Sequence, residues 1–388
     1  METNFLTSSM TLLISIILPI TLFIVNKEKI MSDMLFFLGL ILYISFSTFN
    51  LLIFYISFES VIIPMIYLIS RGSSSILYKY RALYRFTLYT IGGGLLLLIF
   101  LLICVLFIGD FNYYSLILSN KLSCNYQLIL FPLLLITFLI KLPIIPFHIW
   151  LPDTHGEAPT SGSVILAALL LKLGGVGIIR WLIPILPYAY LYYRPLLLII
   201  GLLSAIYASI TTLRHIDIKK LIAYSSIAHI GLVLVGITSL SNIAYKGVIL
   251  LLFSHGLVSS LLFLLIGFLY VRTNTRYVIY YKGLATTMPI FSTFLFISLI
   301  LNAAIPPSLS FLAEFFIIQG TFYYETIGTS FLLLAVLFSG IYSLFLFCKI
   351  CFSTLPYNNY SKYNDINLRE FYIIIPLILF SFIFSFLF

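Results

Sequence analysis

Hydrophobic positions dominate this chain in long runs, and charged residues fall mainly between those runs. A run of about 18 or more apolar residues is long enough to cross a lipid bilayer as a helix. The pattern therefore predicts an all-α polytopic membrane protein with about twelve transmembrane helices. The predicted spans are 7–25, 32–48, 49–70, 84–108, 126–147, 160–184, 194–213, 218–240, 244–271, 286–324, 328–352 and 371–388.

Two of the predicted spans are broken by a pair of closely spaced prolines, because proline lacks the backbone N–H that a helix needs. Span 126–147 is broken near its end by the segment KLPIIP at 141–146. Span 286–324 is too long for one crossing and contains a pair of prolines at 306–307. We expect each of these spans to be a single broken helix.

The order of the spans also resembles a repeat. Setting aside the first and last spans leaves two groups of five, and the fourth span of each group is broken and carries an ionisable residue, Lys141 or Glu314. Because five is an odd number, the second group must run inverted relative to the first, an arrangement typical of transporters. The predicted regions are an N-terminal span at 1–31, repeats at 32–184 and 194–352, and a loop with the C-terminal span at 353–388.

Composition excludes a soluble domain. Only 9% of the 388 residues are charged and 62% are hydrophobic, whereas soluble proteins contain about 25% charged residues. The net charge of +9 does not indicate nucleic-acid binding, because the basic residues are spread over short loops.

The loop charges instead predict orientation. Fifteen loop lysines and arginines fall on one side of the twelve-span map and four on the other, so the rich side is cytoplasm or matrix and both termini lie opposite. The four are Lys121, Arg180, Arg194 and Lys246. The 36 Phe and 28 Tyr residues are typical of an AT-rich organelle gene. We expect a mitochondrial inner membrane, with both termini in the intermembrane space, and a bacterial inner membrane as the alternative.

Six ionisable side chains that lie inside predicted spans are the candidate functional residues: Glu59, Lys141, Lys172, His229, His255 and Glu314. A charge at the bilayer centre costs about 2.5–3.5 kcal/mol, so these groups should face the bundle interior. A row of Glu, Lys and His joined by water forms a proton relay, because such groups exchange protons readily. Two alternatives are a structural ion pair between Glu59 and Lys141 and histidines that only pack.

Other polar groups are weaker candidates. Four potential metal ligands crowd one segment: His148, Asp153, His155 and Glu157. Surrounding prolines and the lack of helical His-x-x-x-His spacing favour a structured loop over a metal site. Cys348 and Cys351 form a lone C-x-x-C, which is too few ligands for a usual zinc or iron–sulphur site. The glycines at 92–94 and 174–175 lack a phosphate-loop pattern and indicate close helix packing. We therefore predict no metal or cofactor in this chain.

The segment KLPIIPFHIWLPDTHGEAPTSGSVILAALLLKLGGVGIIRW at 141–181 resembles the signature of the antiporter-like subunits of proton-pumping NADH:quinone oxidoreductase, respiratory complex I. The stretches at 54–72, 217–234 and 254–270 resemble the same family. The resemblance covers roughly 45–388. It implies a membrane-arm subunit that translocates protons, driven by electron transfer from NADH to ubiquinone elsewhere in the complex.

The resemblance also implies a role for each candidate residue. Glu59 matches the glutamate that pairs with the broken-helix lysine, Lys141, and Lys172 matches the lysine that links two half-channels. The family's central-axis histidines match His229 and His255, and Glu314 matches the terminal residue of the second half-channel. The resemblance further implies that NADH, FMN, iron–sulphur clusters and ubiquinone bind to partner subunits. No redox chemistry is therefore expected in this chain.

One departure from the family concerns the N-terminus. Glu59 lies early in the chain. In the family, additional N-terminal helices usually precede the corresponding glutamate. We expect lipid, such as cardiolipin, or an extra subunit to occupy the flank that those helices normally cover. Other partners would be neighbouring membrane-arm subunits. Two further hypotheses stay open: a subunit of a multi-subunit cation/proton antiporter, which shares the 141–181 signature, and a structural anchor whose proton path is inactive.

Overall fold

The computed structural model describes residues 2–25, 28–72, 76–118, 122–352 and 363–387, so Lys121 lies outside the described residues. Within those ranges the backbone is almost entirely helical, and extended pairing is limited to two isolated bridges. Eleven described helical segments are long and apolar enough to cross a membrane. Two shorter apolar helices supply the predicted broken span at 286–324. The prediction of an all-α protein with about twelve spans is confirmed.

The chain divides into two compact units, residues 1–200 and 201–388. The first unit contains α1 (Glu2–Ile24), α2 (Lys29–Ser47), α3 (Leu51–Ser60), α4 (Ile62–Ser70), α5 (Ile76–Ile108), α6 (Tyr113–Leu118), α7 (Cys124–Lys141), α8 (Trp150–Glu157), α9 (Thr160–Ile165), α10 (Leu171–Gly177) and α11 (Ile183–Ile185). The boundary falls within α12 (Pro187–Arg214).

The second unit contains α13 (Ile218–Thr238), α14 (Asn242–Thr273), α15 (Leu284–Thr287), α16 (Pro289–Asn302), α17 (Leu309–Phe322), α18 (Thr326–Cys351) and α19 (Leu368–Leu387). A short 3₁₀ turn at Val278–Tyr280 precedes α15. In this unit α14 lies at the centre and packs on α13, α16, α17 and α19.

Burial separates central crossings from peripheral ones. We compared the apolar 18-residue stretch of each crossing by the share of it that is buried. This share is 94% in the crossing Thr160–Ile185, 94% in α13 and 100% in α14, but only 22% in the C-terminal crossing. A helix that is apolar all round belongs in a bundle interior. Polar side chains on the three central crossings are therefore surrounded by protein.

The proline-broken spans end where their sequences dictate. Helix α7 ends at Lys141, and its C-cap Leu142 precedes Pro143, which disfavours helical backbone at the preceding residue. Helix α16 ends at Asn302, and α17 begins after Ser308, whose hydroxyl accepts a hydrogen bond from Phe311 N. Both predicted breaks are confirmed.

Other interruptions were not predicted. The span predicted at 49–70 divides at Val61, because Pro64 has no N–H to donate to Ser60 and would crowd its carbonyl. The crossing Thr160–Ile185 contains two π-helical turns, Leu166–Leu170 and Ile178–Leu182.

Within each unit, charged side chains form ion pairs and hydrogen bonds that connect separate elements. In the first unit, the Arg85 guanidinium forms an ion pair with Asp153 in the first turn of α8. In the second unit, both terminal nitrogens of Arg272, at the end of α14, donate hydrogen bonds to the Glu370 carboxylate of α19. The carboxylate of Asp365 accepts hydrogen bonds from Ile290 N and Phe291 N at the start of α16, at 2.8 and 3.0 Å.

Candidate functional site

Lys141 is the last residue of α7 and is 2% exposed. Its ammonium lies 4.5 Å from the centre of the Phe58 ring, a cation–π distance. The helix C-terminus adds a second favourable field, since its carbonyls carry partial negative charge. Trp150 of α8 donates to the neighbouring carbonyl of Ile140 at 3.0 Å and holds the two sides of the break together.

Glu59 lies beside this ammonium on α3 and interacts with it electrostatically. The residue as a whole is partly exposed, but its Oε1 is buried. Neither Glu59 Oε1 nor Lys141 Nζ has a hydrogen-bond partner among the described residues. An ion pair in low dielectric gains stability only when further hydrogen bonds satisfy both groups, so this pair is a candidate for proton transfer as well as for a structural role.

Gly94 of α5 makes room for the Glu59 carboxylate. A Cβ at Gly94 would lie 1.7 Å from Glu59 Oε1, and one at Gly174 would lie 2.7 Å from the Phe138 carbonyl of α7. The prediction of close helix packing is confirmed at these two glycines. At Gly92 a Cβ would meet open space.

Lys172 is fully buried on α10 and donates from Nζ to the Ala167 carbonyl at 2.5 Å. That carbonyl belongs to the π-helical turn Leu166–Leu170. The turn ends directly before α10 begins at Leu171. A π turn shifts the hydrogen-bond register of the helix, and such turns recur at functional sites. Here the wide turn accommodates a lysine side chain that folds back onto its own helix.

Arg180 corrects the loop-charge map, in which it counted as a loop residue. Its side chain is fully buried in the crossing Thr160–Ile185 and donates to the Phe46 carbonyl at 2.7 Å and the Thr48 carbonyl at 3.2 Å. The carbonyls at a helix C-terminus lack partners within the helix and attract a cation. Arg180 therefore anchors the end of α2 from inside the bundle.

In the second unit, His229 of α13 and Glu314 of α17 are 3% exposed each and face one another. His229 Nδ1 lies 3.2 Å from Glu314 Oε1. The carboxyl sits in the second turn of α17, close after the break in the span. The two atoms lie within ion-pair distance, and neither Glu314 oxygen has an aligned hydrogen bond among the described residues.

His255 of α14 continues this line of groups. Its ring centre lies 5.6 Å from that of His229, and both rings line a small cavity of about 10 Å³. Asn302 and Ser310, on either side of the break between α16 and α17, also line it. The remaining lining residues are Leu251, Val258 and Leu301. A cavity with several polar groups and apolar walls is suited to ordered water.

The alternative metal site has no support in the described part of the chain, where no group of three or more His, Cys, Asp or Glu side chains could hold a metal ion. Asp153 pairs with Arg85 instead. The segment expected as a structured loop is the two-turn helix α8. That this chain carries no cofactor stays a prediction.

The structure thus places Glu59, Lys141 and Lys172 in the first unit and His229, His255 and Glu314 in the second. Five of the six are buried and Glu59 is partly so. Sequence reasoning missed Tyr342, whose hydroxyl lies 3.3 Å from His229 Nε2 inside the second cluster. A tyrosine in a chain with 28 of them carries no signal of its own.

Buried ionisable groups at the breaks of membrane-crossing helices define a class of protein, the polytopic ion-translocating membrane proteins. Within that class, the chain belongs to the family described as NADH:quinone oxidoreductase/Mrp antiporter, TM, whose model matches residues 48–344. The resemblance carried by residues 141–181 is therefore confirmed.

Three known proteins illustrate the relationship. The chain is 45% identical over 334 residues to NADH-ubiquinone oxidoreductase chain 4 of Chondrus crispus. The matched region covers 86% of this chain and 67% of the relative. It is 37% identical over 337 residues to NADH-quinone oxidoreductase subunit M of Rickettsia bellii, covering 86% and 68%. A chain of respiratory complex I from Thermus thermophilus with bound NADH superposes with a TM-score of 0.91 at 27% identity, covering 98% of this chain and 80% of that one.

The names of these relatives agree with the chain 4 type, which the resemblance also favours through the pattern F-E-x-x-x-I-P at 58–64 and the glutamate at position 314. Chain 4 proteins of Marchantia polymorpha and Chondrus crispus are 43% and 45% identical to this chain. The chain spans about two thirds of the length of each.

Proposed function

We propose that this chain is a proton-translocating membrane-arm subunit of respiratory complex I. Electron transfer from NADH to ubiquinone takes place in partner subunits and drives proton movement through this one. The observation that carries the proposal is Lys141, a buried ammonium at a helix break, next to Glu59 and without a hydrogen-bond partner among the described residues. A charge kept in that condition costs stability and is explained by a function in proton transfer.

The relay comprises two clusters. In the first unit, Glu59 and Lys141 exchange protons at the break of α7, and Lys172 takes the next position. In the second unit, protons pass between His255, His229 and Glu314 through the cavity and across the 3.2 Å contact. The order in which the clusters act follows the family resemblance, in which the lysine at position 172 links two half-channels.

The domain organisation and surroundings are part of the same proposal. Residues 32–184 and 194–352 form the two inverted five-helix repeats, flanked by 1–31 and 353–388. The membrane is the mitochondrial inner membrane, with both termini on the intermembrane-space side. Lipid such as cardiolipin, or an extra subunit, covers the flank beside α1 and α2, where Phe36 and Phe37 are about half exposed.

A cation/proton antiporter subunit is the second candidate, because the matching family model includes Mrp antiporters. Such an assembly would use the same relay without redox partners. The relatives named above carry oxidoreductase names, which favours the complex I assignment.

Mass spectrometry of native complexes separates the two candidates. Membranes of the source organism are solubilised gently, separated by size, and searched for the assembly that contains this chain. We expect it to migrate with NADH:quinone reductase activity, flavin and iron–sulphur proteins. Migration in a smaller assembly without redox cofactors would contradict the complex I assignment and support the antiporter.

A further inference from the structure

Tyr342 of α18 connects His229 to the break between α16 and α17. The tyrosine is 2% exposed, and its hydroxyl lies 3.3 Å from His229 Nε2. The side chains of Asn302 and Ser225 also interact with this hydroxyl. One phenol therefore touches α13 and the last residue of α16 together.

Both ring nitrogens of His229 are engaged by neighbouring elements. Nδ1 faces Glu314 Oε1 of α17 at 3.2 Å, and Nε2 faces the Tyr342 hydroxyl of α18 at 3.3 Å. A neutral imidazole has one donor and one acceptor nitrogen, whereas an imidazolium has two donors. A carboxylate accepts only, so the partner at Nε2 must act as donor to the neutral ring and as acceptor to the charged ring.

A phenol can act in both ways, provided that its O–H can donate to a second acceptor while its oxygen accepts from the ring. Ser225 donates its own hydroxyl proton to the Ile222 carbonyl at 2.8 Å, which leaves the Ser225 oxygen free to accept. The Asn302 side-chain carbonyl is another acceptor. Tyr342 thus lies between a histidine and two alternative acceptors, all of them buried.

We propose that Tyr342 is a positioning residue that satisfies His229 in both protonation states by turning its hydroxyl between His229 Nε2 and the side chains of Ser225 and Asn302. With neutral His229, Tyr342 donates to Nε2 while Nδ1–H donates to Glu314. When a protonated His255 passes a proton to His229 through the cavity that both rings line, an N–H bond breaks on His255 and one forms at His229 Nε2. Tyr342 then turns its own O–H toward Ser225 or Asn302, and its oxygen accepts the new N–H. Tyr342 keeps its proton, and the net change is one proton moved from His255 to His229.

The inference rests on the proposed proton relay and adds a residue to it. The titratable groups that face His229 are Glu314 of α17, Tyr342 of α18 and His255 of α14, whose ring centre is 5.6 Å away. Glu314 favours the imidazolium, and His255 opposes it when charged. The phenol adds no charge, so its contribution is a hydrogen bond that changes direction.

Tyr342→Phe in the assembled complex tests this. The substitution keeps the ring and removes the hydroxyl, so a buried imidazolium N–H loses its acceptor. Because hydrogen bonds to charged groups are stronger than those to neutral ones, we expect about a tenfold loss of imidazolium, seen as a shift of the pH profile of proton pumping by about one unit toward acid. A merely structural tyrosine would lower the amount of assembled complex without moving the profile, and that result would overturn the inference.

A second pair of variants covers the case in which Tyr342→Phe does not assemble. Ser225→Ala removes one acceptor of the turned hydroxyl and should shift the profile in the same direction by less. Its matched control is Ser226→Ala, the adjacent buried serine that also bonds to the Ile222 carbonyl, which should leave the profile unchanged. Identical profiles for these two variants would overturn the inference.

Glu314→Gln separates this inference from the proposed function. Loss of pumping in Glu314→Gln together with an unshifted Tyr342→Phe profile would overturn the role of Tyr342 alone. Normal pumping in an assembled Glu314→Gln complex would overturn the relay of the second unit, and the inference with it. Loss of pumping together with the acid shift supports both.

Discussion

At the scale of single residues, the buried charges differ in how their surroundings compensate them. Arg180 donates two hydrogen bonds to carbonyls at the end of α2, which suits a permanent structural cation. Lys141 instead has an aromatic ring and an electrostatic neighbour but no hydrogen bond among the described residues. A group in that position can lose and regain its proton without breaking a hydrogen-bond network, which suits the role proposed for Lys141.

Gly94→Ala is predicted to disable Glu59 without changing a charged residue. The added methyl group would lie 1.7 Å from Glu59 Oε1 and must displace the carboxylate. We expect proton pumping to fall by about tenfold or more, because a misplacement of roughly 1 Å disrupts proton transfer. Pumping and complex assembly are measured together in membrane vesicles.

Gly92→Ala is the matched control, because a Cβ there meets nothing within 4 Å. It should pump as the unmodified complex does. Equal pumping by assembled Gly94→Ala and Gly92→Ala complexes would show that the position of the Glu59 carboxylate does not matter.

The six candidate residues were recognisable in the sequence because charge and hydropathy conflict at their positions. An ionisable group in a long apolar run is costly in a membrane and therefore conspicuous. Tyr342 and Asn302 carry no such conflict, and Arg180 was assigned to a loop because it lies near the end of its span. Only the packing of α18 and α16 around His229 identifies the first two.

At the scale of elements, proline positions predicted the broken spans well. Proline acts locally through its missing N–H and its effect on the preceding residue, so the ends of α7 and α16 could be read directly. The two π-helical turns in the crossing Thr160–Ile185 could not. The first turn supplies the carbonyl to which Lys172 donates, and the second contains the buried Arg180. The hydropathy pattern shows neither contact.

The start of α16 gives a prediction at this scale. Asp365, 75 residues later in the chain, accepts hydrogen bonds from Ile290 N and Phe291 N in the first turn of α16. Asp365→Ala removes this cap, which is worth about 1–2 kcal/mol, so the first turn should exchange its amide hydrogens about 5- to 30-fold faster. Hydrogen–deuterium exchange of the peptide around Ile290 measures this.

Asp110→Ala serves as the control for the cap. Its carboxylate accepts hydrogen bonds from Phe111 N and Asn112 N in the first unit, so exchange in α16 should stay at the unmodified rate. Unchanged exchange in Asp365→Ala would contradict the capping role.

At the scale of the whole molecule, half of the six candidate residues lie on the most buried crossings. Lys172, His229 and His255 lie on the three crossings whose apolar windows are at least 94% buried. Hydropathy predicted where the spans are, but it did not rank them by burial, since every span in a membrane is apolar. That ranking comes from packing within each unit.

The central claim is that protons move through this chain by way of Lys141, and pumping by a Lys141→Ala complex tests it most directly. The complex is purified, shown to be assembled, and placed in vesicles in which NADH oxidation and acidification are followed together. Lys246→Ala, at an exposed lysine near the start of α14, is the control and should pump normally. We predict that Lys141→Ala assembles but pumps at background level, and that Glu59→Ala does the same. Normal pumping by an assembled Lys141→Ala complex would contradict the account and favour a subunit that only anchors its neighbours.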